Sequence, residues 1–144
     1  MRCLIVDDDE MSRVSLEMLL KKVEDIEIAG VCEDAMSAME LLQRENVDLI
    51  FLDIEMPSLS GLDMVRTLDD LPLIIFVTAK REYAAEAFDF KDLVVDYLSK
   101  PVTLPRLIKA INRAREVFEI SSKPRTGREY FFIRYCSRVR LDCQ

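Results

Sequence analysis

Leu49-Ile50-Phe51-Leu52-Asp53 is a short run of bulky apolar side chains that stops on an acid. Four uninterrupted apolar residues are too few to make a helix face. They read as a strand buried on both sides, as in a parallel sheet covered by helices. Outward from it, similar runs lie at residues 3–6, 26–32, 73–77 and 93–98, and each precedes a helix-compatible stretch. The pattern is strand then helix, five times over.

Strands alternating with helices of this length imply right-handed crossovers and an open parallel sheet. The fold class expected is α/β: a flavodoxin-like (βα)5 doubly wound parallel sheet with strand order 2-1-3-4-5. Functional residues should then gather at the carboxyl ends of the strands, beside the switch point between strands 1 and 3. Helical periodicity places Met11, Val14, Met18 and Leu19 on one face of residues 11–23. It places Leu104, Leu107, Ile108, Ile111 and Phe118 on one face of residues 104–118. Thr103 with Pro105, and Ser60 with Asp63, supply helix-start signals.

Composition narrows the chemistry. The chain has 144 residues, half of them hydrophobic, and no histidine, which removes His-ligated zinc and Ser-His-Asp hydrolysis together. Any phosphohistidine must therefore come from another molecule. Cys3, Cys32, Cys136 and Cys143 show no metal or disulfide spacing, and no apolar run approaches a bilayer span. A cytoplasmic protein with no membrane contact is expected. The net charge of −7 is uneven. Residues 1–119 hold 25 acidic and 14 basic side chains, and residues 120–144 hold 2 and 6. An acidic body is a poor nucleic-acid ligand by itself.

At the expected strand ends sit Asp7-Asp8-Asp9-Glu10, Asp53, Thr78-Ala79 and Ser99-Lys100-Pro101. Converging carboxylates repel unless a cation joins them, and an oxygen-only, water-accessible ligand set suits Mg²⁺. A hydroxyl and an ammonium on the same rim supply donors for anionic oxygens, which matches a bound phosphoryl group. Singly, each of these residues has a plain structural reading: an acidic helix cap, a β-branched strand end, a solvated lysine. All of them at one rim is a different matter.

The acidic pair Asp7-Asp8, the segment Asp53-Ile-Glu-Met-Pro57-Ser-Leu-Ser-Gly61, Thr78-Ala79, Tyr97 and Lys100-Pro101 together resemble the response regulator receiver domains, of the chemotaxis-regulator kind. The resemblance implies a receiver over residues 1–120, with Asp53 as the phosphoacceptor served by a sensor histidine kinase. It implies that Asp8, Asp53 and the backbone carbonyl of Glu55 bind Mg²⁺ directly and that Asp7 acts through water. Lys100 would pair with phosphoryl oxygens, Thr78 would hydrogen-bond one of them, Lys100-Pro101 would be a cis peptide, and Thr78 and Tyr97 would form the switch. Glu55 and Lys80 would tune the lifetime of the phosphoryl group as an ion pair over the site. Asp9 is kept as a capping residue. Apart from slow loss of its own phosphoryl group, such a chain is not an enzyme.

Residues 121–128 read as a linker. Residues 129–144 resemble the opening of a LytTR-type DNA-binding domain, so the chain is expected to stop a short way into a transcriptional effector and to form a homodimer on phosphorylation. Two other readings stand beside this one. A haloacid-dehalogenase-like Mg²⁺ phosphatase would use Asp7 and Asp9, and a stand-alone receiver would act by protein binding. A flavodoxin-like electron carrier shares the fold but would need a Ser/Thr-rich phosphate loop after strand 1, where this chain has acids.

Overall fold

The computed structural model describes residues 1–79 and 92–122. Among them are five parallel strands: β1 (Arg2–Val6), β2 (Glu27–Cys32), β3 (Leu49–Leu52), β4 (Leu73–Thr78) and β5 (Val94–Ser99). They form one sheet in the order β2-β1-β3-β4-β5, the doubly wound arrangement expected. Helices α1 (Glu10–Leu20), α2 (Ala35–Arg44), α3 (Gly61–Thr67) and α4 (Leu104–Ser122) complete the described elements.

The period-two alternation of strand side chains divides the core into two layers. Leu4, Val6, Ile50, Leu52, Ile74 and Phe76 face the layer that holds α2 and α3. Cys3, Ile5, Leu49, Phe51, Ile75 and Val77 face the layer that holds α1 and α4. Every residue of β3 and β4 is buried, which is why their sequences are apolar up to the terminal Thr78. Full burial of a side chain such as Phe51 or Phe76 contributes about 1.5–3 kcal/mol.

Register carries the carboxyl ends of the strands to one level. Val6 pairs with Leu52, Leu52 with Phe76, and Thr78 with Ser99. The residues that follow these ends therefore share a rim.

One expected helix face is corrected, and a second holds except at one residue. In α1, Leu16 and Leu20 are buried, whereas Met11, Val14 and Met18 are 75%, 44% and 60% exposed. Asp9 caps the helix through Ser12, and Arg13 turns inward to donate from Nη1 to the Asp7 carbonyl. That pair of anchors sets the rotation of the helix and leaves the methionine stripe outside. In α4, Ile108 is 39% exposed, and the small residues Ala110 and Ala114 join Leu107 and Ile111 against the sheet. Helix α4 also runs to Ser122, two residues into the stretch read as linker. Residues 123–144, and the effector reading placed on them, lie outside the described residues.

Candidate functional site

The β1–α1 turn is held almost atom by atom. Asp7 donates its N–H to the Cys32 carbonyl, and its own carbonyl accepts from Arg13 at 2.9 Å. Its Oδ1 accepts from the Asp9 N–H at 2.9 Å, and its Oδ2 accepts from Lys100 Nζ at 2.7 Å. Asp8 is exposed and follows a buried Asp7. Asp9 Oδ2 takes the Ser12 N–H and hydroxyl, and those bonds hold its carboxyl below the usual range. Asp9 is thus spent as the cap of α1. The Asp7-x-Asp9 pair of a phosphatase lacks a free second acid here.

Asp53 follows β3 and donates its N–H to Val6, one strand over. Its carboxylate is fixed at both oxygens: Oδ1 accepts from the Glu55 N–H at 3.1 Å, and Oδ2 lies 3.2 Å from Lys100 Nζ. Gly61, the first residue of α3, backs against this segment. Its N–H bonds to Ile54, and a Cβ at that position would come within 2.3 Å of the Asp53 carbonyl oxygen. The glycine lets the capped start of α3, with its Ser60–Asp63 capping box, press onto the loop that carries Asp53.

Thr78 ends β4 and is 1% exposed. Its carbonyl accepts the Lys100 N–H at 3.0 Å, so strands 4 and 5 stay paired up to the rim. The Lys100-Pro101 peptide is cis. Tyr97, two residues before the end of β5, sets its ring 6.4 Å from that of Phe76 at 56°. Glu55 borders the site. Its expected pairing with Lys80 falls outside the described residues, because Lys80 does.

Ligand oxygens of Asp7, Asp8 and Asp53 lie within 4.8 Å of one another. Asp8 and Asp53 border an open cavity of about 530 Å³ that also touches Glu55, Thr78 and Lys100. Three carboxylates face one ammonium, so the rim carries excess negative charge. Burial pushes the Asp53 carboxyl up to about 6, and Asp7 adds to the rise against the pull of Lys100 and the Glu55 N–H. Burial would lower the Lys100 ammonium, but bonds to Asp7 and Asp53 outweigh it and raise the pKa. Hard oxygen donors in excess, partly open to water, are the donor set that Mg²⁺ takes.

Arg13 was missed in the sequence, although an arginine four residues after an acidic cap is a visible signal. Its role is to hold the Asp7 main chain, which no spacing rule announces.

Residues 3–112 match the response regulator receiver domain family. An uncharacterized response regulatory protein of Shewanella oneidensis is 44% identical over 116 residues, covering 79% of this chain and 48% of that protein. The transcriptional regulatory protein BtsR of Salmonella typhimurium is 44% identical over 117 residues, covering 80% of this chain and 48% of its own length. Among solved structures, the response regulatory domain of mrkE from Klebsiella pneumoniae matches with a TM-score of 0.75 at 32% identity, over 83% of this chain and 99% of that one. The response regulator TrrA of Thermotoga maritima, in complex with Mg²⁺-BeF, matches with a TM-score of 0.66 at 29% identity, over 78% of this chain and 97% of that one.

The chain belongs to the response regulator receiver domain family. It carries the receiver of a two-component signalling protein, a switch operated by phosphorylation on aspartate. It spans about half the length of the curated relatives it matches, and among the described residues no helix is long and apolar enough to cross a membrane.

Proposed function

We propose that Asp53 is the phosphoacceptor of this receiver and that a sensor histidine kinase supplies the phosphoryl group. One observation carries the reading: the Asp53 carboxylate is 4% exposed, borders the acidic cavity, and has one oxygen on Lys100 and the other on the Glu55 N–H. A carboxylate so oriented attacks phosphorus with one Oδ. The new bond is Oδ–P and the bond broken is the P–N bond of the donor's phosphoimidazole, which leaves as imidazole after taking a proton.

Asp8 and Asp53, with the Glu55 backbone carbonyl, are the residues we assign to direct Mg²⁺ contact, and Asp7 to contact through water. Bound there, Mg²⁺ neutralises phosphoryl oxygens that the carboxylates would otherwise repel. Lys100 transfers its bonds from Asp7 and Asp53 to a phosphoryl oxygen. Thr78 donates its hydroxyl to another, and Tyr97 follows Thr78 as the switch. Glu55 and Lys80 pair over the mouth and slow attack by water. Equal dephosphorylation rates in Glu55→Ala, Lys80→Ala and the parent would remove that last assignment.

A second cavity of about 380 Å³ is lined by Met11, Ser15, Leu16, Pro101 and Val102 together with Asp7 and Lys100 of the first site. We propose that an apolar helix of the kinase rests there. Relatives named as transcriptional regulatory proteins, about twice as long as the matched region, support an output in transcription control; we further propose that this output runs through a LytTR-type DNA-binding domain to which residues 129–144 belong, as a phosphorylation-dependent homodimer in the cytoplasm.

The test is incubation with Mg²⁺ and a small acyl phosphate, followed by intact mass and peptide mapping. A single Mg²⁺-dependent adduct on the Asp53 peptide is expected. An adduct on Asp7, or turnover of phosphate esters, would overturn the assignment.

A further inference from the structure

β5 is the last strand of the sheet, and a last strand exposes unpaired N–H and C=O groups that can recruit another chain. At Tyr97 both groups are already taken by side chains. Its N–H donates to Asp96 Oδ1 at 2.8 Å, and its carbonyl receives a long 3.4 Å contact from Arg106.

Asp96 is itself clamped from α4. Arg106 donates Nη1 to Oδ2 and Nη2 to Oδ1, both at 2.8 Å, and Arg113 adds a contact to Oδ2 at 3.3 Å. The Asp96 side chain is 7% exposed while the two guanidiniums are 41% and 50% exposed, so the arginines roof a buried carboxylate. A slip of register between Ile74 and Ile75 pairs Ile75 with Asp96, which aims the acid at the layer shared with α4.

Packing of the helix alone does not require this arrangement. Helix α4 already docks through Leu107, Ala110, Ile111 and Ala114, all fully buried. An apolar residue would serve packing at least as well, because a buried ion pair roughly breaks even against a well-packed hydrophobe. The carboxylate supplies what an apolar residue cannot: an acceptor for an edge N–H.

We propose that Asp96, gripped by Arg106 and Arg113, is an edge guard that occupies the hydrogen-bonding groups an incoming strand would need and pins the main chain at Tyr97. Partners must then read this side of the receiver through side chains. Given the switch reading of Tyr97, the motion of that residue is confined to its ring, on a fixed backbone.

The test is amide hydrogen exchange by NMR on the unphosphorylated full chain, comparing Tyr97 with Phe51 at the sheet centre. It involves no phosphoryl transfer, so it fails or succeeds apart from the switch reading. The parent should protect Tyr97 although it lies on the outermost strand of the described sheet. Asp96→Leu, which keeps the branched skeleton but removes the acceptor, should speed Tyr97 exchange by about tenfold or more, the factor expected for losing one hydrogen bond to a charged group, and leave Phe51 unchanged. Asp96→Asn, which keeps the acceptor, should restore protection, and Asp96→Ala serves the same comparison where Asp96→Leu does not fold. An unprotected Tyr97 in the parent, an unchanged rate in Asp96→Leu, or equal acceleration of Tyr97 and Phe51 would overturn the proposal.

Discussion

The two rims of the sheet handle acids in opposite ways. At the amino rim, Arg2 Nη1 meets Glu27 at 2.9 Å and Nη2 meets Glu45 at 2.8 Å. Its Nε donates to the Asn46 carbonyl, and its backbone N–H donates to Asp48. Those charges are satisfied within the chain and stand largely in water, where such pairs are worth little. At the carboxyl rim, Asp7 and Asp53 are each 4% exposed and share one lysine. One rim is closed by its own residues. The other is held short of balance, an arrangement that, on the function proposed above, an external cation with an anionic group would complete. Function sits where the chain leaves its electrostatics unfinished at some cost in stability.

The sharpest way to break the comparison is to change the acceptor. Asp53→Asn should abolish the acyl-phosphate adduct, while Arg2→Ala should leave its yield unchanged, both read by intact mass. Gly61→Ala comes next. Its Cβ would press to within 2.3 Å of the Asp53 carbonyl oxygen, a backbone atom that cannot swing away. A loss of about 1–3 kcal/mol in denaturant unfolding is expected, with slower adduct formation because the acceptor loop shifts.

The cost of the carboxyl rim is itself measurable. With Mg²⁺ removed by chelator, Asp53→Asn should be more stable than the parent by about 1–2 kcal/mol at neutral pH, the gain expected from removing a carboxylate that the fold disfavours in its ionised form. The sign follows from the raised carboxyl, pushed to about 6. The folded protein holds that proton more tightly than the unfolded chain does, so the ionised group costs stability above about pH 6. The cost fades as pH falls toward the ordinary carboxylate value of about 3.9. Thermal unfolding across that window should show the gain of Asp53→Asn shrinking on acidification. Arg2→Ala should be the smallest change, about 1 kcal/mol or less, and should weaken further in high salt.

Strand order and the rim were legible because β3 and β4 are buried on both faces and each apolar run stops abruptly on a polar residue, Asp53 or Thr78. Helix rotation was not. Met11, Val14 and Met18 satisfy helical spacing as well as Leu16 and Leu20 do. What decided between the stripes was the Asp9 cap and the inward reach of Arg13 to a backbone carbonyl six residues earlier, side-chain contacts that periodicity does not encode. Within the site, residue types and their order were readable. The sharing of Lys100 between two acids was not, because it depends on distances across three strands. The use of Asp96 by a neighbouring backbone N–H was equally hidden, since an acid in an edge strand reads in sequence as a solvent-facing residue.

The most direct test of an unfinished carboxyl rim is thermal unfolding of the unphosphorylated chain as Mg²⁺ is raised from zero. Binding only to the folded state should raise the midpoint of the parent with the logarithm of Mg²⁺ concentration, and Asp8→Ala, which removes the exposed carboxylate of the set, should lose most of that rise. A midpoint indifferent to Mg²⁺, or an equal rise in the parent and in Asp8→Ala, would contradict it.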